Sequence, residues 1–314
     1  MKYRRLGKTD LSISVVGIGT WQFGGEWGRV FTQDEATAII SRGKELGINL
    51  IDTAECYGDH VSERLIGNAI KGERDQWIIA TKFGHKFHGN FDRTAHWSGE
   101  EVVQQLDDSL RHLQTDYVDL YQFHSGADEV FDNPDLWEAL DTQVKAGKIR
   151  HLGISIGSNR NIHQTARASH VNASAIQVVY NRLDTAPEEE VFPSCIEQDL
   201  GVLARVPLAS GYLSGKYQPG TTFTKPSDVR SRHNAEQVQQ KLAAVAQIQR
   251  EEVPDGVDMA TWALAWCLQH PAVTCVIPGC KTVEQVEKNA AAAELELVRD
   301  DHPQAVLSGK LGFD

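Results

Sequence analysis

The hydrophobic and polar positions of the chain alternate between two patterns. Short runs of β-branched and aromatic residues end in small or polar residues, and most are followed by a segment whose apolar residues recur with a helical period. This alternation predicts repeated strand-then-helix units. Strands are predicted for the apolar runs at 15–21, 49–54, 77–84, 118–124, 151–156, 175–181, 201–208 and 273–279.

The segments between these runs predict helices, and several carry helix-end signals. Thr32 precedes a segment with acidic residues close behind it, and Gly47 and Gly147 stand where helices should end. Helices are predicted at 32–47, 61–70, 98–113, 134–147, 159–169, 187–200, 258–270 and 282–294.

Eight alternations without a linker of biased composition favour an α/β fold with one (β/α)8 TIM barrel domain over 1–314. The alternative is a doubly wound sheet with a second domain. Residues 3–7 and 11–15 predict an N-terminal β-hairpin ahead of the first barrel strand, which could plug the barrel floor.

Two long loops are predicted at the C-terminal face of the barrel. The connections 85–97 and 209–234 exceed the usual length, and both follow strands. The segment 295–314 has no clear pattern, so it either covers that face or frays.

Composition narrows the class of protein. Hydrophobic residues make up 41% of the chain, but no apolar run approaches the ~20 residues of a membrane span, so no membrane partner is expected. The charged N-terminus resembles no secretory or transit signal, which favours the cytoplasm. A net charge of -12 argues against a nucleic-acid partner, because a phosphate backbone requires clustered Lys and Arg. The sequence does not indicate the oligomeric state.

No metal site is expected from the sequence. The five cysteines are widely spaced and odd in number, which is typical of reduced thiols rather than of disulfides or a zinc site. His85, His88 and His96 share one loop, but without ligands at metal-binding spacing they are interpreted as polar residues of a lid.

Four polar residues fall at or just beyond the ends of three neighbouring predicted strands. They are Asp52, Tyr57, Lys82 and His124. Each alone has a structural explanation: a turn cap, a packed ring with a solvated hydroxyl, a lysine reaching the rim, or a buried histidine. Together they favour a catalytic site, because four such coincidences would have to fall on one face of the barrel.

These four side chains suit the reduction of a carbonyl. Tyr57 could donate the proton, but a phenol of pKa ~10 is too weak an acid unless its anion is stabilised. Lowering that pKa by about three units takes roughly 4 kcal/mol, about what a cation at ~4 Å contributes at an effective dielectric near 20. Lys82 is therefore expected to lower the pKa of Tyr57, with Asp52 orienting Lys82 and His124 donating to the carbonyl oxygen.

Motifs in the same order along the chain resemble those of the aldo-keto reductases. They are GIGTW (17–21), DTAECYG (52–58), ATKFG (80–84), DLYQFH (119–124), AGKIRHLGIS (146–155), AIQVVYNRL (175–183), PLASGYLSGKY (207–217) and IPGCKTVEQVEKN (277–289). The resemblance implies an NAD(P)-dependent carbonyl reductase on a (β/α)8 barrel. It implies that Tyr57 is the general acid, that Lys82 and Asp52 support it, and that His124 orients the substrate.

The resemblance also implies the cofactor-binding positions. Besides Asp52, they are Gly19, Thr20, Trp21, Ser155, Gln177, Leu208, Ser210, Gly211, Leu213, Ser214, Lys216, Gly279, Lys281, Thr282, Gln285 and Asn289. Arg205 stands where many relatives have an aromatic ring against the nicotinamide. A guanidinium can lie against that ring or reach an anion instead, and a cofactor contact is expected there. Gln285 replaces an arginine for the 2'-phosphate, leaving Lys281 for that role. NADPH is therefore expected, with NADH as the alternative.

The expected substrate is a small aldehyde or ketone with an apolar body. Its pocket is predicted around Tyr57 and His124, with aromatic walls from Trp21, Trp27, Phe83, Trp97 and Tyr212. Two other functions remain open: a Schiff-base aldolase that uses Lys82, and a nucleotide-binding regulatory subunit of aldo-keto-reductase type with little turnover.

Overall fold

The computed structural model describes residues 1–306 of the chain. Its strands are β1 (Tyr3–Arg5), β2 (Ser12–Ser14), β3 (Ile18–Gly19), β4 (Leu50–Asp52), β5 (Ile78–Phe83), β6 (His85–Gly89), β7 (Asp92–Ala95), β8 (Val118–His124), β9 (Ile149–Ser155), β10 (Ala173–Val179), β11 (Gly201–Arg205) and β12 (Cys275–Val276). Its α-helices are α1 (Gln33–Glu45), α2 (Val61–Ala69), α3 (Gly99–Leu113), α4 (Asp128–Phe131), α5 (Pro134–Lys145), α6 (Ile162–Ala166), α7 (Val191–Glu197), α8 (Ala235–Glu251), α9 (Met259–Leu268) and α10 (Val283–Ala291).

Eight parallel strands form a closed barrel. They pair in the order β3, β4, β5, β8, β9, β10, β11 and β12. Parallel bridges from Val16 to Val276 and from Gly19 to Gly279 join the first strand to the last. The predicted (β/α)8 barrel is confirmed, and all eight predicted strands are present.

Two apolar layers hold the barrel together. The larger lies between the outer faces of the strands and the surrounding helices, and it includes Ile51, Ile79 and Val202. The smaller fills the lower part of the barrel interior, where residues of β4, β8 and β11 meet the hairpin β1–β2. Because Leu6 and Ile13 of this hairpin are fully buried there, the predicted hairpin does plug the barrel floor.

The helices begin where the sequence signals them. Thr32 and Ser98 each form a capping box, in which the cap hydroxyl and a glutamate three residues later satisfy each other's backbone amides. These caps fix where α1 and α3 start.

Three segments differ from the sequence-based expectations. The loop predicted at 85–97 contains the antiparallel hairpin β6–β7, and α8 follows the second long loop without having been predicted. The tail predicted to cover the C-terminal face or fray instead packs at the opposite end, where Val306 N–H donates to the Tyr3 carbonyl (3.0 Å). The tail pairs with β1 because that edge strand offers free backbone groups. Residues 307–314 lie outside the described residues.

Within residues 1–306, no helix combines the length and apolar character that crossing a membrane requires.

Candidate active site

A cavity of about 690 Å³ opens at the C-terminal ends of the barrel strands. This is the face on which barrel enzymes carry their active sites. The predicted site residues that line the cavity are Gly19, Thr20, Trp21, Trp27, Asp52, Tyr57, His124, Gln177, Arg205, Leu208, Ser210, Gly211, Ser214, Lys216, Gly279, Lys281, Thr282, Gln285 and Asn289. The structure thus brings most of the predicted set to one surface.

Lys82 connects Asp52 to Tyr57 at the cavity floor. Its Nζ donates to Asp52 Oδ2 (2.8 Å) and lies 3.3 Å from the Tyr57 hydroxyl. A third bond, to the Thr53 carbonyl at 2.7 Å, completes the donors of the ammonium. The parallel pairing of β4 and β5 places Asp52 opposite Ala80, and Lys82 lies two residues further along β5 on the same face as Ala80. Lys82 itself is fully buried, so it reaches the cavity through Tyr57.

The other oxygen of Asp52 is held by two side-chain amides. Asp52 Oδ1 accepts from Gln177 (2.7 Å) and from Gln122 (3.2 Å). Gln177 in turn accepts from the Ser155 hydroxyl at 3.4 Å, so Ser155 lies behind Gln177 rather than on the cavity surface. Every oxygen of this buried carboxylate is therefore satisfied, as a buried charge requires.

Gln122 was missed from the sequence, although it carries a signal. It lies two residues before His124 on β8, and alternate residues of a strand point to the same side. A glutamine in phase with an inward-facing histidine therefore indicates a second polar group inside the barrel.

Lys82 acts on the pKa of Tyr57 in the expected direction, but the effect of burial is larger and opposite. Burial raises the pKa of the Tyr57 hydroxyl to about 12, and Lys82 offsets that effect only in part because Asp52 opposes it. Burial disfavours the charged form of Lys82 as well, but Asp52 and Tyr57 outweigh it and raise the pKa of the ammonium. At neutral pH the site therefore holds a protonated phenol beside a charged lysine.

His124 ends β8 with its ring at the cavity. Burial lowers its pKa well below the usual value, and the nearby cations, led by Lys82, add to the effect, so the ring is neutral. Its Nδ1 faces away from the cavity, 3.8 Å from Cys56 Sγ and 4.0 Å from Glu55 Oε2. Its backbone carbonyl is held by His85 Nε2 at 2.7 Å. Glu55 was not identified from the sequence, in which nothing distinguishes it from a loop glutamate.

Aromatic and charged side chains form the wall above Tyr57. Trp21 and Trp27 meet edge to face with centroids 5.3 Å apart. The fully buried Glu26 accepts from the Trp21 indole and from Arg93 of β7, and so ties the hairpin β6–β7 to the cavity wall. Arg93 lines the cavity, but sequence analysis missed it because the whole segment was read as an irregular loop.

Three residues predicted for the substrate pocket lie elsewhere. Phe83 is fully buried in the outer apolar layer against Tyr121, since it points away from the inward-facing Lys82. Trp97 packs on Phe83 outside the barrel strands, with ring centroids 6.1 Å apart. Tyr212 is buried beneath the loop after β11, where its hydroxyl meets His233 at 2.8 Å. None of the three lines the cavity among residues 1–306.

The far end of the cavity offers close backbone approach and a helix N-terminus. A Cβ at Gly19 would lie 2.6 Å from the Ile277 carbonyl, so only glycine fits there. Thr282 caps α10 by accepting from Gln285 N–H (3.3 Å), and Lys281 stands directly before it. Free amides, a helix dipole and a cation are the groups that bind phosphate, so these residues fit a dinucleotide. Leu213, predicted to bind cofactor, is instead buried under the loop.

Two segments, 20–32 and 206–234, meet across this end of the cavity and form a strap over it. Trp27 forms a backbone bridge with Asp228, and Arg230 pairs with the Asp228 carboxylate at 2.6 Å. The guanidinium of Arg230 also lies over the rings of Tyr217 (4.8 Å) and Phe223 (4.2 Å). Arg230 and Tyr217 line the cavity but were not predicted, because the long loop that holds them has no periodic pattern.

Arg205 lies at the end of β11, between the strap and the catalytic residues. It donates to the Ile156 carbonyl (3.1 Å), while its buried Nε has no partner. A buried donor without an acceptor costs free energy, which a bound ligand can recover. The structure therefore supports a ligand contact at Arg205 more strongly than the sequence did.

Comparison with known proteins gives matches over nearly the whole chain. The model of the aldo/keto reductase family matches residues 15–306. The aldo-keto reductase YhdN of Bacillus subtilis (strain 168) is 34% identical over 298 residues, covering 91% of this chain and 87% of that protein. The uncharacterized oxidoreductase YqkF of the same strain is 32% identical over 313 residues, covering 98% and 96%.

A solved structure shows the same architecture. The holo form of the aldo-keto reductase AKR11C1 from Bacillus halodurans matches with a TM-score of 0.78 at 32% identity. The match covers 97% of this chain and 94% of that chain.

Proposed function

Because the chain belongs to the aldo/keto reductase family, we propose that it is a nicotinamide-dependent oxidoreductase that reduces the carbonyl of an aldehyde or ketone. The reaction is reversible, so the same site oxidises the corresponding alcohol. The observation that carries the proposal is the Tyr57 hydroxyl, 3.3 Å from a buried, charged Lys82 at the floor of the cavity.

Tyr57 supplies the proton. A nicotinamide held by assigned residues such as Gln177 and Trp21 would supply the hydride for the carbonyl carbon, and the phenol would give its proton to the carbonyl oxygen. Burial keeps Tyr57 protonated at neutral pH, since its pKa is raised to about 12. Lys82 stabilises the phenolate left after transfer, and Asp52 keeps Lys82 charged and in place.

His124 orients the carbonyl. Because Nδ1 faces Cys56 and Glu55, Nε2 is the ring nitrogen left for the cavity. A neutral ring protonated at Nε2 donates a hydrogen bond to the carbonyl oxygen and places it near Tyr57. The low pKa of His124 suits this role, since the ring orients without competing with Tyr57 as the acid.

We assign NADPH as the preferred cofactor, with NADH as the alternative. Burial lowers the pKa of Lys281, and the positive charges of the nearby Arg230, Arg29 and Lys216 lower it further. A chain with net charge -12 thus concentrates cations at one end of its cavity, where a 2'-phosphate would bind. Gln285 contributes less, because its side-chain oxygen already accepts from the Lys281 backbone at 2.8 Å.

Two further assignments follow from the described residues. The Trp21 and Trp27 rings favour a small carbonyl substrate with an apolar body. All five cysteines are free and buried, which supports a reducing compartment such as the cytoplasm.

The aldolase alternative is not favoured by the electrostatics. A lysine that forms a Schiff base must be neutral to attack a carbonyl, and such lysines have a lowered pKa. The pKa of Lys82 is raised, and its three donors are directed at Asp52, Thr53 and Tyr57.

The test is fluorescence titration with NADPH and NADH, followed by turnover with a panel of aldehydes and ketones. Tyr57→Phe is the matched variant, because it removes only the hydroxyl. We expect nucleotide binding within about twofold of the wild type and a loss of turnover of about 10²- to 10⁴-fold.

Other outcomes separate the alternatives. Failure to bind either nucleotide would overturn both the reductase and the regulatory functions. Tight binding with no Tyr57-dependent turnover would leave the regulatory subunit. Borohydride trapping of a carbonyl substrate on Lys82 without nucleotide would establish the aldolase.

A further inference from the structure

Three potential metal ligands converge behind the cavity floor. They are Glu55 Oε2, Cys56 Sγ and His124 Nδ1, and all three atoms lie within 4.8 Å of one another. Glu55 and Cys56 are 2% and 1% exposed, whereas the His124 ring also lines the cavity. A carboxylate, a thiol and an imidazole are the three side-chain types that bind zinc.

The distances from His124 Nδ1 to the other two ligand atoms fit coordination of one shared ion better than they fit hydrogen bonds. Nδ1 of His124 is 4.0 Å from Glu55 Oε2, which is too long for a hydrogen bond. It is 3.8 Å from Cys56 Sγ, at the outer limit for sulfur. With metal–ligand bonds of about 2.0–2.3 Å, two tetrahedral ligands of zinc lie roughly 3.4–3.6 Å apart. Shifts of a few tenths of an ångström would therefore bring His124 Nδ1 to coordination spacing from both Glu55 Oε2 and Cys56 Sγ.

The Glu55 carboxylate is only half satisfied. Its Oε1 accepts from His85 N–H at 2.9 Å, but its Oε2 is buried and has no hydrogen-bond partner. Leaving a buried carboxylate oxygen without a donor is costly, and the unused oxygen is directed at Cys56 and His124. This orphaned oxygen is an observation independent of the distances, and it is free to bind a cation.

We propose that Glu55, Cys56 and His124 form a binding site for a thiophilic divalent cation of the Zn²⁺ class. On binding, the Cys56 thiol releases its proton to solvent and forms a metal–sulfur bond, while His124 and Glu55 contribute a nitrogen and an oxygen. No oxidation or reduction is involved. The ion enters from the cavity past the His124 ring, and a water completes the coordination sphere.

A second cluster in the described part of the chain is a weaker candidate. His60, Glu63 and His112 also lie within 4.8 Å of one another. Both oxygens of Glu63 are already bonded, to His60 at 2.5 Å and to Thr81 at 2.6 Å. The two imidazoles stack with an interplanar angle of 16°, so their lone pairs lie in nearly parallel planes and do not converge on one point. This cluster therefore serves as the control.

Occupation of the Glu55–Cys56–His124 site is expected to inhibit carbonyl turnover. Coordination draws the His124 ring towards Cys56, away from the substrate, and fixes the residue that precedes Tyr57. This effect rests on the proposed function, whereas ion binding does not. Ion binding with unchanged turnover would overturn the inhibitory effect alone.

The experiment titrates the reduced, chelator-treated full chain with Co²⁺, then measures Zn²⁺ affinity by competition with a chromogenic chelator. A thiolate ligand gives Co²⁺ a charge-transfer band in the near ultraviolet. We expect the band at one ion per chain, its loss in Cys56→Ser, and affinity lowered about tenfold or more in Glu55→Gln, which keeps the thiolate.

Two variants provide matched controls. Cys280→Ser removes another buried thiol, and His112→Gln disables the second cluster; both are expected to bind as the wild type does. Circular dichroism verifies that each variant is folded. If Cys56→Ser does not fold, the affinity measured for Glu55→Gln still decides the test. Three results would each overturn the proposal: a band that survives in Cys56→Ser, a band that disappears in either control, or an unchanged Zn²⁺ affinity in Glu55→Gln.

Discussion

The Lys82 ammonium donates to the Asp52 carboxylate at 2.8 Å inside a barrel where both side chains are almost wholly excluded from water. The pair does two things at once: it balances two buried charges, and it keeps a cation beside the Tyr57 hydroxyl.

The first prediction separates these two roles. Lys82→Met should abolish turnover and lower the free energy of unfolding by about 3–5 kcal/mol, because it leaves the Asp52 charge buried and unpaired. The double variant Asp52→Asn/Lys82→Met should recover most of the stability but none of the turnover. Urea unfolding and carbonyl reduction are the two measurements. Equal stability of the single and double variants would show that the pair is not held as a buried ion pair.

The second prediction concerns the choice between NADPH and NADH. Lys281→Ala should weaken NADPH binding about tenfold and NADH binding by less than about twofold, because only NADPH carries the 2'-phosphate assigned to this cation. Fluorescence titration gives both dissociation constants. Lys145→Ala, on the exposed face of α5, is the matched control and should change neither. Equal losses for both nucleotides would remove Lys281 from the 2'-phosphate site.

The third prediction tests how Tyr57 is positioned. A Cβ at Gly24 would lie 2.6 Å from the Tyr57 carbonyl carbon, and that backbone cannot move independently of the tyrosine. Gly24→Ala should lower turnover at least tenfold and cost about 1–3 kcal/mol of stability by overpacking. Gly89→Ala is the control, since no heavy atom lies within 4 Å of its Cβ. Normal turnover in Gly24→Ala would contradict this account of the Tyr57 position.

The fourth prediction concerns stability in acid. Burial, reinforced by Arg4, lowers the pKa of His302 from 6.5 to about 3. Between these values the unfolded chain binds a proton that the folded chain excludes, so stability present above pH 6.5 is lost as the pH falls. From pH 7 to pH 5 this group should cost the wild type about 2 kcal/mol.

His302→Asn is the matched variant for this prediction. Its side-chain oxygen can accept from Gln304 N–H, as His302 Nδ1 does at 3.0 Å, but it does not titrate. Urea unfolding of both proteins at pH 7 and pH 5 measures the difference. Parallel losses in the two proteins would show that His302 does not carry the acid sensitivity.

The barrel and its catalytic face could be predicted because regular elements repeat in the sequence. The ends of parallel strands converge, so Asp52, Lys82 and His124 could be placed together from strand ends alone. Successive residues of a strand point to opposite sides, so Phe83 points outward because its neighbour Lys82 points inward. The prediction that Phe83 lines the pocket was therefore wrong.

The remaining residues of the site follow from tertiary contacts that leave no pattern in the sequence. Glu26, Arg93 and Arg230 act through partners far along the chain or on irregular loops. The effect of Lys82 on the pKa of Tyr57 was predicted in the right direction, but the larger, opposite effect of burial was missed. The sequence shows which charges are near but not how completely water is excluded.

The hairpin β6–β7 is a part of the cavity mouth that can vary without altering the barrel. It forms its own two-stranded sheet, separate from the eight barrel strands, and it returns the chain to its origin where His96 N–H donates to the Gly84 carbonyl at 2.9 Å. This bond and the pairing of His85 with Ala95 hold the two ends of the hairpin side by side. The hairpin is thus an exchangeable module: its length and tip can be redesigned to reshape the mouth of the cavity while the barrel keeps its backbone pairing.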